Sequence, residues 1–162
     1  MARRRRELQT IGWREWASLP DLGVPAIKTK VDTGARTSAL HAFRLRQWHR
    51  DGDVWVTFEV HPEQRSLRGA IAVECPVAGW RRVRSSNGLV QHRPVIRTAI
   101  ALAGLRWPVD ITLTNRDEMG FRMLIGRAAI RHRFIVDPSR SFVGGTLEPL
   151  DSLHERRLPG ER

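Results

Sequence analysis

One short stretch near the amino terminus, Asp32-Thr33-Gly34-Ala35, combines residue types suited to hydrolysis. Residues 26–31, just before it, alternate apolar and polar side chains, which predicts a half-buried strand that ends at Asp32. Gly34 permits a tight backbone turn beside the carboxylate. We therefore predict that Asp32 is the catalytic group and that Thr33 and Gly34 complete the catalytic loop.

This stretch resembles the active-site signature of the retropepsin-like aspartic peptidases. Their second hallmark, two apolar residues followed by Gly, is matched downstream by Leu124-Ile125-Gly126-Arg127. Residues 31–41, 84–88 and 113–127 are similar to a bacterial family long labelled ATP-dependent zinc proteases and now grouped with the retropepsins. The resemblance implies an all-β fold, a closed retropepsin-like barrel with one lobe per chain and a short helix after the Leu-Ile-Gly motif.

The number of catalytic acids predicts the assembly. Two-lobed pepsin-like enzymes contain two such acids, whereas this chain of 162 residues has one Asp-Thr-Gly. We therefore expect a homodimer whose twofold axis brings two copies of Asp32 together. Two ionised carboxylates about 3 Å apart would repel by roughly 5 kcal/mol at an effective dielectric near 20, so the pair should share one proton. The ionised carboxylate would then activate a water while the protonated one binds the scissile carbonyl.

By resemblance, the Thr33 hydroxyl would bond across the axis, and the Gly34 amide would point toward the carboxylate. Ala35 replaces the Ser or Thr of most pepsins and has no hydroxyl to donate. Ala35 and Arg36 are predicted to contact substrate. In viral retropepsins the residue at the position of Arg36 is usually an acid that pairs with the arginine of the second motif, here Arg127. We expect either another partner for Arg127, or a cationic cleft.

The charge of the chain is compatible with a cationic cleft. Its formal net charge is +11, from 28 Lys plus Arg against 17 Asp plus Glu, and such a field attracts polyanions. Arg36, Arg84 and Arg127 are predicted to bind an acidic peptide or poly-glutamylated protein, because a guanidinium fork matches a carboxylate. The related bacterial genes accompany ATP-grasp glutamate ligases, so a functional link to such a ligase is expected. Asp117 and Glu118 are the alternative acidic partners for Arg127.

A flexible hairpin should cover the cleft. Residues 80–84 and 89–93 are strand-like and flank Ser85-Ser86-Asn87-Gly88, and Asn-Gly strongly favours a tight hairpin turn. We predict this hairpin to be the flap, with Ser86, Asn87 and Gly88 contacting substrate. The Asp51-Gly52 turn is the alternative flap.

The remaining chain predicts one domain at residues 11–150, between a flexible basic arm at 1–10 and a disordered tail at 151–162. Strands are expected at 39–48, 54–60, 70–77, 95–102 and 107–113, with a last strand at 134–136 that ends at Asp137-Pro138 and contributes to the dimer interface. The single Cys75 is predicted to be a packed thiol. We expect a cytoplasmic protein with no membrane segment.

Three other functions remain open. A metal site is suggested by the zinc label and six His, but the sequence has no His-Glu-x-x-His or Cys-x-x-Cys; no cofactor and no metal ligands are predicted. It also has no phosphate-binding Gly-x-x-x-x-Gly-Lys-Ser/Thr. A basic module that binds nucleic acid or the ribosome is the second alternative, although the Trp residues lie mostly in predicted strands. A catalytically inactive scaffold of the same fold is the third.

Overall fold

The chain is built mainly from β-strands whose alternating apolar residues face a common core. A computed structural model describes residues 7–63, 69–84, 87–115 and 120–145. Within them the strands, in chain order, are β1 (Gln9–Leu19), β2 (Val24–Asp32), β3 (Ser38–His41), β4 (Phe43–Arg50), β5 (Asp53–Val60), β6 (Ile71–Pro76), β7 (Gly79–Arg84), β8 (Val90–Leu102), β9 (Leu105–Thr114), β10 (Met123–Gly126) and β11 (Phe134–Ser141). A 3-10 helix, Pro20–Leu22, joins β1 to β2, and one short α-helix, α1 (Arg127–Ile130), follows β10.

Six of the strands close into a barrel in the order β1, β2, β10, β3, β9 and β8. The ring is completed by antiparallel pairing of β8 with β1, where Ala17 lies opposite Leu102 and Ser18 opposite Ala101. β10 runs parallel to β2 but antiparallel to β3, and β3 runs parallel to β9, so the sheet is mixed. The predicted all-β closed barrel of the retropepsin type, followed by a short helix, is confirmed.

The barrel interior is filled by branched aliphatic side chains from every strand of the ring. The fully buried ones include Ile11, Ile27, Leu40, Ile100, Ile111 and Ile125. A separate sheet of β4, β5 and β6 packs on the same core through Val56, Phe58 and Val60. Their period of two is the sequence signal that predicted this strand, because alternate residues of a strand share one face.

Two predicted strands have different limits from those expected. The segment 39–48 divides at Ala42 into β3 of the barrel and β4 of the outer sheet, because the Ala42 amide donates to the carbonyl of Thr114 (2.8 Å). Conversely, the two strands predicted at 89–93 and 95–102 are one strand, β8 (Val90–Leu102), that runs through Pro94. Pairing with β9 begins only at Val95, so the missing amide of Pro94 removes no bond to β9.

The last strand also extends past the predicted stop at Asp137-Pro138 and runs to Ser141, parallel to β1. Its register shifts at this point, since Gly12 and Arg14 lie opposite Asp137 and Ser141, so the extra β11 residues bulge out at the proline. The Asp137 carboxylate accepts bonds from the Ser139 amide (2.9 Å) and hydroxyl (2.6 Å). These bonds lower the pKa of Asp137.

The Cys75 side chain is half-buried against the core, as expected of a packed thiol. Burial raises the pKa of Cys75 to about 11, so the thiol stays protonated at neutral pH and is a poor nucleophile. In the part of the chain that the structure describes, no helix has the length and apolar character needed to span a membrane. Residues 1–6 of the predicted arm at 1–10, and the whole predicted tail at 151–162, lie outside the described residues; β1 begins within the predicted arm, at Gln9.

The close approach of β11 to β1 gives a prediction for stability. A β-carbon at Gly12 would overlap the backbone carbonyl oxygen of Arg140 and lie 2.7 Å from the carbonyl carbon. We expect Gly12→Ala to lower the free energy of unfolding by about 1–3 kcal/mol in denaturant titrations, because backbone must move to relieve the overlap. Gly79→Ala, also in a strand but with no atom within 4 Å of the new β-carbon, is the control. Equal stability of both variants would contradict this account of Gly12.

Candidate active site

Asp32 is the last residue of β2, and its carboxylate lies at the mouth of the barrel, partly exposed. The Gly34 amide donates to Asp32 Oδ1 (3.0 Å), and the Ala35 amide donates to the Asp32 carbonyl (3.3 Å). A β-carbon at Gly34 would lie 3.2 Å from the same carboxylate oxygen, so glycine allows the tight approach. Thr33 is exposed beside it. The loop therefore orients the carboxylate and leaves it accessible to a ligand.

The loop from Thr33 to Thr37 crosses the end of β10, because β10 lies between β2 and β3 in the sheet. Gly126, at the end of β10, lies beside Asp32 in register. The next two amides, of Arg127 and Ala128, donate to the carbonyls of Ala35 (2.8 Å) and Arg36 (3.1 Å). Amides in the first turn of a helix have no partner within the helix, so α1 uses them to fix the loop that follows Asp32.

Ser38 is a site residue that the sequence analysis missed. Its hydroxyl accepts a bond from the Gly126 amide (3.1 Å), and its carbonyl accepts one from the Thr112 hydroxyl (3.1 Å). The side chain is 2% exposed, so these bonds join three strands inside the protein. A serine six residues after an aspartate carries no sequence signal for this role, since it depends on the pairing of β3, β9 and β10.

The arginine of the second motif bonds to the loop itself. Arg127 Nη1 donates to the Gly34 carbonyl (3.1 Å). The predicted alternative partners, Asp117 and Glu118, lie outside the described residues. Arg36 is exposed and lines a cavity. The acid expected at its position from viral retropepsins is absent, and the Gly34 carbonyl is the partner of Arg127 instead.

A cavity of about 360 Å³ lies against the loop and is called the near cavity here. One wall contains Ala35 and Arg36. The facing wall is the β7–β8 hairpin, which contributes Arg81, Arg82 and Arg93. No acidic residue is among the described residues that line this cavity. Asp32 itself does not line the near cavity, which begins at Ala35 of the same loop and offers several guanidinium groups to an anionic ligand.

The predicted flap residues lie beyond this cavity, at the end of the same hairpin. Arg84 ends β7 opposite Val90, and Asn87 and Gly88 lie in the exposed turn, with Gly88 at a φ of 81°. Ser86 lies outside the described residues. The stem of the hairpin, rather than its tip, thus faces the loop in this structure. The exposed run of arginines in the predicted flap strand could have indicated Arg81 and Arg82.

The histidines behind the metal alternative are partly used in packing. The rings of His41 and His61 stack on the two sides of Phe43, with ring centroids 3.9 and 3.8 Å away. His61 Nε2 lies 3.0 Å from Glu59 Oε2. Across the described ranges, no three His, Cys, Asp or Glu side chains gather in a group that could hold a metal ion.

The contact between the two motifs gives a second prediction. A β-carbon at Gly126 would lie 2.6 Å from the carbonyl carbon of Thr37 and 2.7 Å from the carbonyl oxygen of Arg36. We expect Gly126→Ala to cost about 1–3 kcal/mol of unfolding free energy and to increase amide hydrogen exchange in residues 33–38. Gly79→Ala is again the control. Unchanged exchange in this loop would show that the motif contact does not hold it.

Comparisons with known proteins agree with the resemblance described from the two sequence motifs. Residues 10–146 match the family model described as RimB-like, the retropepsin-like aspartic endopeptidase RimB. A Shewanella halifaxensis protein named "Probable alpha-L-glutamate ligase" is 50% identical over 135 residues, which are 83% of this chain and 30% of that protein. A Parasynechococcus marenigrum protein with the same name is 49% identical over 137 residues, 85% of this chain and 29% of its own length. This chain therefore spans about three tenths of these relatives.

A crystal structure of a Legionella pneumophila protein of unknown function is also similar. It superposes with a TM-score of 0.67 at 27% identity, covering 85% of this chain and 99% of that one. The family match includes both the Asp-Thr-Gly loop and the Leu-Ile-Gly motif that holds it. Because that match extends over more than four fifths of the sequence, this chain belongs to the RimB-like family of retropepsin-like aspartic endopeptidases.

Proposed function

We propose that this protein is an aspartic peptidase that hydrolyses peptide bonds in acidic substrates, either glutamate-rich peptides or poly-glutamylated proteins. The observation that carries the proposal is the Asp32 carboxylate, fixed by the Gly34 amide on a tightly bonded loop and still partly exposed. A structural carboxylate at a strand end would more commonly be satisfied by a cation. No ion pair to Asp32 is found among the described residues.

The catalytic unit would be a homodimer. The chain has one Asp-Thr-Gly, and Thr33 and Gly34 beside Asp32 are exposed, so a second copy could approach this loop. A shared proton between two Asp32 carboxylates gives one general base for the attacking water and one acid for the carbonyl oxygen. The aspartic-protease pair is a known solution to this chemistry, and the proposal applies it to Asp32.

The substrate class follows from the near cavity. Arg36, Arg81 and Arg82 are exposed and line it with Arg93, without an acidic residue among its described lining. A guanidinium binds a carboxylate through two parallel N–H bonds, so acidic side chains near the cleaved bond are favoured. The β7–β8 hairpin is the proposed flap, because its stem faces Ala35 and Arg36 across the cavity, whereas the Asp51-Gly52 turn is not among the cavity's lining residues.

A link to a glutamate ligase is part of the same proposal. The relatives named alpha-L-glutamate ligase contain a segment equivalent to most of this chain, and in the Shewanella halifaxensis protein that segment is 30% of the length. We propose that the ligase activity in their name belongs to the remaining length, and that this domain acts on the chains such a ligase makes. Physical fusion of two domains in relatives supports a shared substrate, here a glutamate polymer.

The catalytic assignment is tested by Asp32→Asn. The variant should keep its fold and its dimer in analytical ultracentrifugation while peptide cleavage, followed by mass spectrometry, falls at least about a hundredfold, because the general base is lost. Asp51→Asn makes the same chemical change at an exposed turn and should keep full activity. Full activity of Asp32→Asn would exclude the aspartic mechanism, and activity from a monomer would exclude the shared pair.

The substrate class is tested with hexa-α-glutamate and hexa-glutamine, which differ in charge but hardly in shape. We expect kcat/KM to be at least about tenfold higher for the glutamate peptide, and this preference to weaken as salt screens the arginines. Product masses show which bond is cut. Equal cleavage of both peptides at low salt would contradict a carboxylate-binding role for the near cavity.

A further inference from the structure

A second cavity, of about 320 Å³, adjoins the near cavity and is called the far cavity here. The two share Arg36, Thr37 and Arg81. They also follow one another along β9, since Thr112 and Thr114 line the near cavity and residues 107–110 line the far one. A ligand that fills both would therefore run along β9, past Arg81.

The far cavity is strongly cationic. Its lining contains four arginines, Arg36, Arg81, Arg97 and Arg133, and one acid, Asp110. Asp110 is bonded to Arg97 (3.1 Å). Among the residues that the structure describes, the other three arginines form no ion pair. Three guanidinium groups at one cavity without a neutralising acid favour an anionic ligand.

Arg133 is a far-cavity arginine that is positioned by an aromatic ring and has no ion pair among the described residues. Its guanidinium lies over the ring of Trp107, 5.1 Å from the centroid, and its amide donates to the Ile130 carbonyl (3.0 Å). Trp107 is itself 7% exposed and packs on Phe134. Stacking occupies the face of a guanidinium and leaves its edge donors able to bind a planar carboxylate in two-point fashion. A positioned donor binds with less entropy cost than a mobile one.

We propose that the far cavity is a carboxylate-binding subsite that reads a second acidic group of the substrate, away from the cleaved bond. This inference rests on the proposed function and adds to it a position and a residue, Arg133. In an extended peptide, side chains on one face recur about every 7 Å, so consecutive acidic groups on one face can enter successive cavities. The chemistry recognised is a carboxylate, and both a glutamate side chain and the carboxyl terminus of the peptide supply one.

Binding is measured first, in the Asp32→Asn background so that the peptide stays intact. Calorimetry with hexa-α-glutamate should give about tenfold weaker affinity for Asp32→Asn/Arg133→Gln than for Asp32→Asn alone, the loss expected for one charge-assisted pair. Arg131→Gln in the same background removes an equal charge two residues away, at a side chain that does not line the cavity, and should change affinity much less. Equal losses in the two variants would overturn the subsite.

Two further binding measurements identify the carboxylate that is bound and test the cavity without changing Arg133. Amidation of the peptide's carboxyl terminus should abolish the Arg133 effect if the terminal carboxylate is bound, and leave it intact if a side chain is bound. Asp110→Asn removes the one carboxylate of the cavity and should strengthen binding, because Arg97 becomes available. Thermal melts show whether Arg133→Gln still folds without the Trp107 contact. If it does not fold, Asp110→Asn decides, and unchanged affinity of this variant for hexa-α-glutamate would overturn the proposal.

Peptide cleavage assays distinguish a failure of this inference from a failure of the proposed function. If the wild type cuts hexa-α-glutamate and Arg133→Gln alters neither KM nor the products, the subsite is wrong while the peptidase stands. If the wild type cuts no peptide but Asp32→Asn binds hexa-α-glutamate in an Arg133-dependent way, the subsite stands and the peptidase proposal fails.

Discussion

The structure depends on the attachment of one loop to one strand end. Gly126, Arg127 and Ala128 present three consecutive amides to Ser38 Oγ and to the carbonyls of Ala35 and Arg36. A loop of five residues would otherwise sample many conformations, and each residue fixed costs about 1–2 kcal/mol of conformational entropy. Several bonds from a rigid strand and helix start offset that cost. The Asp32 carboxylate therefore has a defined direction without being buried.

The same attachment positions the two arginines of the motifs, Arg36 and Arg127, at the Asp32 loop. Arg127 donates to the Gly34 carbonyl, so its side chain stabilises the backbone of the loop instead of forming an ion pair with Asp32. Arg36 lines both cavities. An acid bound by a strong ion pair would lose its availability for proton transfer, whereas a carboxylate that accepts a backbone amide keeps it. Because position 36 has no acid to pair with Arg127, Arg127 bonds to the loop backbone and Arg36 is left to line the cavities.

The parts of this protein that sequence predicts are those encoded locally. Asp32 at the end of an alternating strand, the Gly126 motif and the Val54–Val60 face were all visible in runs of a few residues. Ser38 and the division at Ala42 were not, because each depends on pairing between strands far apart in the chain. The bond from Arg127 to the Gly34 carbonyl was not predicted either, since a backbone carbonyl is present at every residue and gives no sequence signal.

Electrostatics joins the catalytic loop to the excess of arginine. The proposed pair of Asp32 carboxylates, sharing one proton, would have one negative charge and would repel an acidic substrate; at 10 Å in water the repulsion is about 0.4 kcal/mol per charge. Each arginine at a similar distance contributes an attraction of the same size, and the lower dielectric of a cavity increases both. Arg36, Arg81 and Arg82 in the near cavity outnumber that single charge. On the proposed function, the cationic wall offsets this repulsion of an acidic substrate, which connects the net charge of +11 with the arginines beside the Asp32 loop.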